Sequence, residues 1–129
     1  MATPCSLFNT RSLTDPGANI SEGVAVSSTD TYYSDWWTGE DSDGYALQVE
    51  YSGTPTGAFT LWMSDKRNPS RADDTDWVQD TGFAPTDPAG AAGKFRDDAS
   101  NAKAFRKRLK YVNASGAGTI KAWATVPRY

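Results

Sequence analysis

The sequence predicts an all-β domain: an antiparallel β-sandwich or jelly roll with an extended N-terminal arm. Three observations carry this. Apolar and polar residues alternate with a period of two in several short stretches, the pattern of half-buried strands. Between those stretches sit clusters drawn from 11 glycines and 7 prolines, which are turn residues. Helical periodicity is scarce. Gly93 to Leu109 is the best candidate helix, but its apolar positions hold no continuous stripe.

Residues 1–12 show no strong pattern and are expected to form the arm, with residues 13–129 as one sandwich domain. Val24 to Ser27 and Thr31 to Thr38 read as short strands. Tyr45, Leu47, Val49 and Tyr51 then alternate with polar neighbours, and the turn cluster Ser52 to Gly57 follows. Phe59, Leu61 and Met63 resume the alternation, so the segment predicts a hairpin with these seven residues on its apolar face. Polar loops are expected at 65–75 and 82–93, with a short strand at Asp76 to Gln79 between them.

A second hairpin is predicted from Phe105 to Val126. Its turn is Asn113 to Gly118, and Ile120, Ala122, Ala124 and Val126 form the inner face of the last strand. Pairing Tyr111 with Ile120 would set the Arg108 guanidinium over the Trp123 indole on the outer face. Each hairpin places a Trp five residues after its last turn glycine, at Trp62 and Trp123, a weak self-similarity.

Composition bounds the chemistry. With 129 residues, one modest core is expected, and the 12% aromatic content points to rings as its main filling. Histidine is absent and Cys5 is the lone cysteine. That excludes an intrachain disulfide, a Cys/His zinc site, and Ser-His-Asp or Cys-His catalysis within one chain. The start of the sequence lacks a signal-peptide pattern, and no apolar run is long enough to span a bilayer, so a soluble protein made in a cytoplasm is expected. Residues 1–52 hold one cation and eight anions, while residues 53–129 hold twelve cations and eight anions. The two halves can attract one another within one fold, or present faces of opposite sign to neighbours.

Few residues suggest catalysis. Asp41, Asp43, Gly44 and Glu50 match part of a calcium loop, but Gly39 holds the first ligand position and the chain continues as a strand. Asp73, Asp74, Asp76 and Asp80 are close enough in sequence to hold a cation, although such loops are usually solvated. With 16 acidic residues, paired carboxylates for glycoside hydrolysis carry almost no specificity. No phosphate-binding glycine loop is present. The expectation is no enzyme, no metal and no cofactor.

The residues that stand out are rings and cations on outer faces. Strand alternation sends one of Trp36 and Trp37 outward and places Trp62 and Trp123 on outer faces, more than a monomer normally exposes. Tyr33 belongs to the same ring-dense stretch. Arg106, Arg108 and Lys110 share one face of their strand. These eight residues are the candidate interface, as anchors for a protein partner or platforms for a sugar.

Three segments resemble small β-sandwich virion proteins of tailed bacteriophages. They are Gly44 to Asp65 (GYALQVEYSGTPTGAFTLWMSD), Asp76 to Gln79 (DWVQ) and Lys107 to Ala122 (KRLKYVNASGAGTIKA). The SGTPTG and NASGAGTI elements are the specific part, and residues 1–43 carry no resemblance. These are turn and core positions, so the resemblance speaks to fold and setting. It implies a capsid-associated role: a cement or decoration protein that binds the assembled head, joins neighbouring capsomers and resides on the virion surface, or a minor structural protein elsewhere on the particle, such as a tail or receptor-binding component. Its expected partners are the major capsid protein and other copies of itself, with no membrane contact and nucleic acid disfavoured by the balanced charge. The alternatives are a carbohydrate-binding module, for example on a tail or receptor-binding part, and, more weakly, a carboxylate hydrolase.

Overall fold

A computed structural model describes residues 3–6, 24–34, 36–38, 45–99 and 103–126, with the backbone alone at 3–6, 37–38 and 125–126. The strands are β1 (Thr3–Ser6), β2 (Val24–Val26), β3 (Thr31–Tyr33), β4 (Trp37–Thr38), β5 (Tyr45–Gly53), β6 (Thr56–Ser64), β7 (Val78–Gln79), β8 (Gly93–Ala99), β9 (Arg106–Ser115) and β10 (Gly118–Val126). The one helical element among the described residues is a 3₁₀ turn at Asp74–Asp76, and no helix is long and apolar enough to cross a membrane.

The strands form two antiparallel sheets. In the first, β1 and β2 lie along one edge of β10, followed by β5 and β8. In the second, β3 and β4 lie along one edge of β9, followed by β6 and β7. The sheets face each other across one apolar layer, which makes the fold the expected β-sandwich. The segment expected to be an arm contributes β1, whose four residues pair with β10 from Val126 back to Trp123. That part of the arm is therefore an edge strand of the first sheet.

Of the predicted inner faces, Tyr45, Leu47, Val49, Tyr51, Phe59, Leu61, Ile120, Ala122 and Ala124 are buried, Met63 is partly buried and the Val126 side chain lies outside the described residues, but both predicted hairpins are not hairpins. β5 and β6 belong to different sheets, as do β9 and β10. Each turn carries the chain across the sandwich as an arch. The physical reason is that a hairpin and an arch both need alternating apolar residues on either side of a Gly/Pro turn. Only the partner strand distinguishes them. Here β5 pairs with β10, so Tyr51 lies opposite Ile120, and β6 pairs with β9, so Phe59 lies opposite Tyr111. The Tyr111–Ile120 pairing and the Arg108–Trp123 contact expected from the second hairpin do not form; Arg108 lies opposite Trp62.

The two arches cross at one end of the sandwich. The Thr54 N–H donates to the Ala117 carbonyl at 3.0 Å, joining the SGTPTG turn to the NASGAG turn. Gly116 has φ +77°, and a Cβ there would meet the Thr54 carbonyl oxygen at 2.0 Å. The two motifs thus interlock by backbone approach, which requires a residue without a side chain.

Rings fill the layer between the sheets. Phe59 packs on Tyr111 with centroids 4.6 Å apart, and meets Phe95 of the opposite sheet edge-on at 5.5 Å. Each buried phenol is satisfied: Tyr45 donates to Asp97 at 2.9 Å, Tyr51 to the Thr86 carbonyl at 3.0 Å and Tyr111 to Asn113 Oδ1 at 2.8 Å, and the Tyr32 hydroxyl accepts the Ser27 N–H at 3.0 Å. Burial raises the Tyr111 phenol to about 12, with the Asp87 charge adding to the effect. β8, which lies in the stretch weighed as the best helix candidate and set aside for lack of an apolar stripe, is an edge strand that turns Phe95 into this layer.

Candidate functional site

The outer face of the second sheet gathers most of the expected interface residues. Alternation along β9 turns Leu109 and Tyr111 inward and Arg106, Arg108 and Lys110 outward. Tyr33 of β3 lies opposite Lys110, and Trp62 of β6 lies opposite Arg108. The predicted strand over Thr31 to Thr38 breaks after Tyr33, because Ser34 turns its side chain into the ladder: its Oγ accepts the Leu109 N–H at 2.9 Å. That break sets Trp36 beside Arg106, whose guanidinium lies 5.8 Å from the indole centroid and 4.0 Å from that of Phe105.

The loop at 65–77 folds back over this face. Trp77 is buried and donates its indole N–H to the Ser70 carbonyl at 2.6 Å. Arg71 donates to the Tyr33 and Ser34 carbonyls at 2.9 and 3.2 Å. Asp73 caps the 3₁₀ turn by accepting the Thr75 N–H at 3.0 Å. Arg108 is the centre of the arrangement. Its guanidinium lies 4.7 Å from the Tyr33 ring, 4.7 Å from Trp77 and 5.4 Å from Trp62. It also donates to the Arg71 carbonyl at 2.6 Å and pairs with Asp74, which Lys110 also engages.

Arg108 was expected at an interface on a solvated face, yet it is fully buried. The loop that covers it supplies a carboxylate and a carbonyl to the two terminal nitrogens, while the buried Nε has no hydrogen-bond partner among the described residues. Sequence periodicity could not show this, since the covering loop has none. Asp74, Trp77 and Arg71 are the residues that the sequence reading missed at this site. The four aspartates weighed as a cation site are committed otherwise: Asp74 to Arg108 and Lys110, Asp76 to Lys66 at 2.7 Å, Asp73 to Thr75, and Asp80 to the Gly82 N–H at 2.9 Å. Among the described residues no group of three or more carboxylates, cysteines or histidines could hold a metal. The calcium-like segment at 39–44 lies outside the described residues.

Partial burial opposes ionisation of Asp74, but hydrogen bonds from Lys110 and Arg108 outweigh it and hold the carboxyl below its ordinary 3.8. A depressed folded value means that the pair's contribution is fully present above about pH 4 and is lost as pH falls through the folded value. Thermal unfolding of the wild type and Asp74→Asn should therefore differ most near neutrality, and the difference should shrink steadily below about pH 4. A difference independent of pH would exclude this ion pair as a source of stability.

The other expected residues separate. Lys110 is mostly buried, and Tyr33, Trp36, Trp62 and Arg106 are half-buried. Trp123 lies on the outer face of the first sheet, on the far side of the sandwich. The Trp37 backbone pairs with Lys107, but its ring lies outside the described residues. Lys107 points inward and is fully buried, and its amine has no hydrogen-bond partner among the described residues. Burial lowers its proton affinity, with the Asp80 charge opposing.

Beside the covering loop runs an open groove of about 540 Å³, lined on its apolar side by Met63, Trp77, Val78 and Ala104. Val78 is 72% exposed, the largest exposure among the described bulky apolar residues. Lys66 and Lys103 stand at the rim of the groove.

No family model matches the chain, and no curated protein matches it. Among solved structures, one described as "CBM4 structure and function" aligns over 95% of this chain and 81% of its own, with 10% identity and a TM-score of 0.44. A likeness at that level carries no argument about function.

Proposed function

We propose that the protein is a non-catalytic virion structural protein, a cement or decoration protein that binds the assembled head of a tailed bacteriophage and joins neighbouring capsomers. The observation that carries this reading is the surface of the second sheet. There the exposed Val78 lies opposite Met63 at the β7 edge, on an apolar groove that Lys66 and Lys103 also line, while Trp36 and Trp62 lie with a set of cations on the outer face. The rings of Tyr33 and Trp62 already have Arg108 and Lys110 as cation partners. Apolar contact, ring edges and cations together suit an acidic protein surface. The resemblance of the two turn motifs to virion proteins supports the same setting. The partners on this reading are the major capsid protein and further copies of the chain, and no cofactor is required.

The test is co-sedimentation of the full chain with heads assembled from the major capsid protein alone. Val78→Asp and Trp36→Ala should each weaken pelleting about tenfold or more, the loss expected for an interface anchor. Val78→Asp should change unfolding stability by less than about 0.5 kcal/mol, since the residue is exposed. Failure of the wild-type chain to pellet with heads, or undiminished pelleting of both variants, would overturn the proposal.

A further inference from the structure

The outer face of the first sheet offers a second surface of different chemistry. Register places Ser6, Trp123, Gln48 and Arg96 in one row across β1, β10, β5 and β8. The next row towards the arches is Lys121, Glu50 and Lys94, and Thr119 and Ser52 follow. Glu50, Ser52, Lys94, Thr119 and Lys121 line an open groove of about 370 Å³. Trp123 stands two residues beyond Lys121 on the same face, about 7 Å along the strand. Unlike Trp62, its indole has no ring, cation or hydrogen-bond partner among the described residues.

The polar groups around this ring are held in place. Gln48 donates its amide to Glu50 at 2.9 Å, and Arg96 pairs with Asp98 at 2.8 Å. Donors and acceptors alternate across the face: Lys121, Glu50 and Lys94 in one row, Gln48 and Arg96 in the other. The three cations and two carboxylates nearly cancel. Such a surface complements a ligand that is neutral and both donates and accepts at closely spaced points. Hydroxyl groups do this, and the C–H face of a sugar ring packs on a free indole.

We propose that the groove of Glu50, Lys94 and Lys121, with Trp123 as platform and Gln48 beside it, binds a neutral oligosaccharide. The site is independent of the capsid-docking surface, because it lies on the opposite sheet. A chain attached to a particle through its second sheet would present this groove outward.

The experiment titrates the full chain with cellohexaose, xylohexaose and chitohexaose, followed by calorimetry and tryptophan fluorescence. At least one should bind with a dissociation constant in the micromolar to low millimolar range. Trp123→Ala should weaken that binding about tenfold or more, and Trp36→Ala on the other sheet should leave it unchanged. Because Trp123 is half-buried, Gln48→Ala serves as a second variant: Gln48 is exposed, so its loss should weaken binding without lowering the unfolding midpoint. Absence of binding by all three sugars at millimolar concentration would overturn the proposal. So would equal binding by wild type, Trp123→Ala and Gln48→Ala.

Discussion

Gly116→Ala is expected to destabilise the protein by about 3 kcal/mol or more. Two costs add. The residue sits at φ +77°, a conformation that costs a residue with a Cβ roughly 1–2 kcal/mol. The new Cβ would also lie 2.0 Å from the Thr54 carbonyl oxygen and 2.9 Å from its carbon, so one arch must move off the other. Forcing an added methyl into a close-packed contact costs roughly a further 1–3 kcal/mol. Gly90→Ala provides the control. Gly90 has φ +91°, but the nearest atom to its Cβ would be Thr56 Oγ1 at 4.0 Å. It should show the conformational cost alone, about 1–2 kcal/mol. Urea unfolding of both variants measures the difference, and equal losses would mean that the two turns do not press on each other.

The second large effect is expected at Arg108. Arg108→Ala removes a fully buried cation from between three rings and leaves Asp74 to Lys110 alone. Breaking a buried ion pair from one side costs roughly 3–5 kcal/mol. Asp74 is about one-third exposed, which places the expected loss at the lower end, about 3 kcal/mol. The loss should be local in its first consequence. Without the guanidinium the loop at 65–77 loses the bond to the Arg71 carbonyl and the stacking partner of Trp77. Trypsin should then cut after Lys66, Arg67 or Arg71 at temperatures where the wild type resists. Arg108→Met keeps an apolar stem among the rings and should lose less. If Arg108→Ala unfolds at the wild-type temperature with its loop still protected, Arg108 does not hold the loop down.

The sequence revealed faces better than partners. Tyr45, Leu47, Val49 and Tyr51 were assigned inward from a period of two, and so were Phe59, Leu61, Ile120, Ala122 and Ala124; all are buried. Period and turn residues report which way a side chain points relative to its own strand, and the β-sandwich follows from that. Which strand pairs with which depends on contacts far apart in sequence, so β5–β10 and β6–β9 were not legible and two arches read as hairpins. Lys107 escaped notice for a related reason. It occupies an inward position by period, but a lysine is normally assigned to a solvated face. At the candidate interface the ring–cation theme was legible in kind: Arg108 does stack on a tryptophan, although on Trp62. Its burial was not, because it depends on a loop whose polar composition, with Arg71, Asp73 and Asp74, resembles that of a solvated loop.

The crossed arches also dictate when the chain can fold. β5 waits for β10 and β6 waits for β9, so the β6–β9 ladder cannot close before residues 106–115 have been synthesised, nor the β5–β10 ladder before residues 118–126. During synthesis the central strands β5 and β6 therefore emerge well before their main partners. A topology of such distant pairings is in the slow class, with closure in milliseconds to seconds. During that interval the alternating strands are open to pairing with another chain. The emergence of β9 and β10 is the step that commits this sandwich to its own fold.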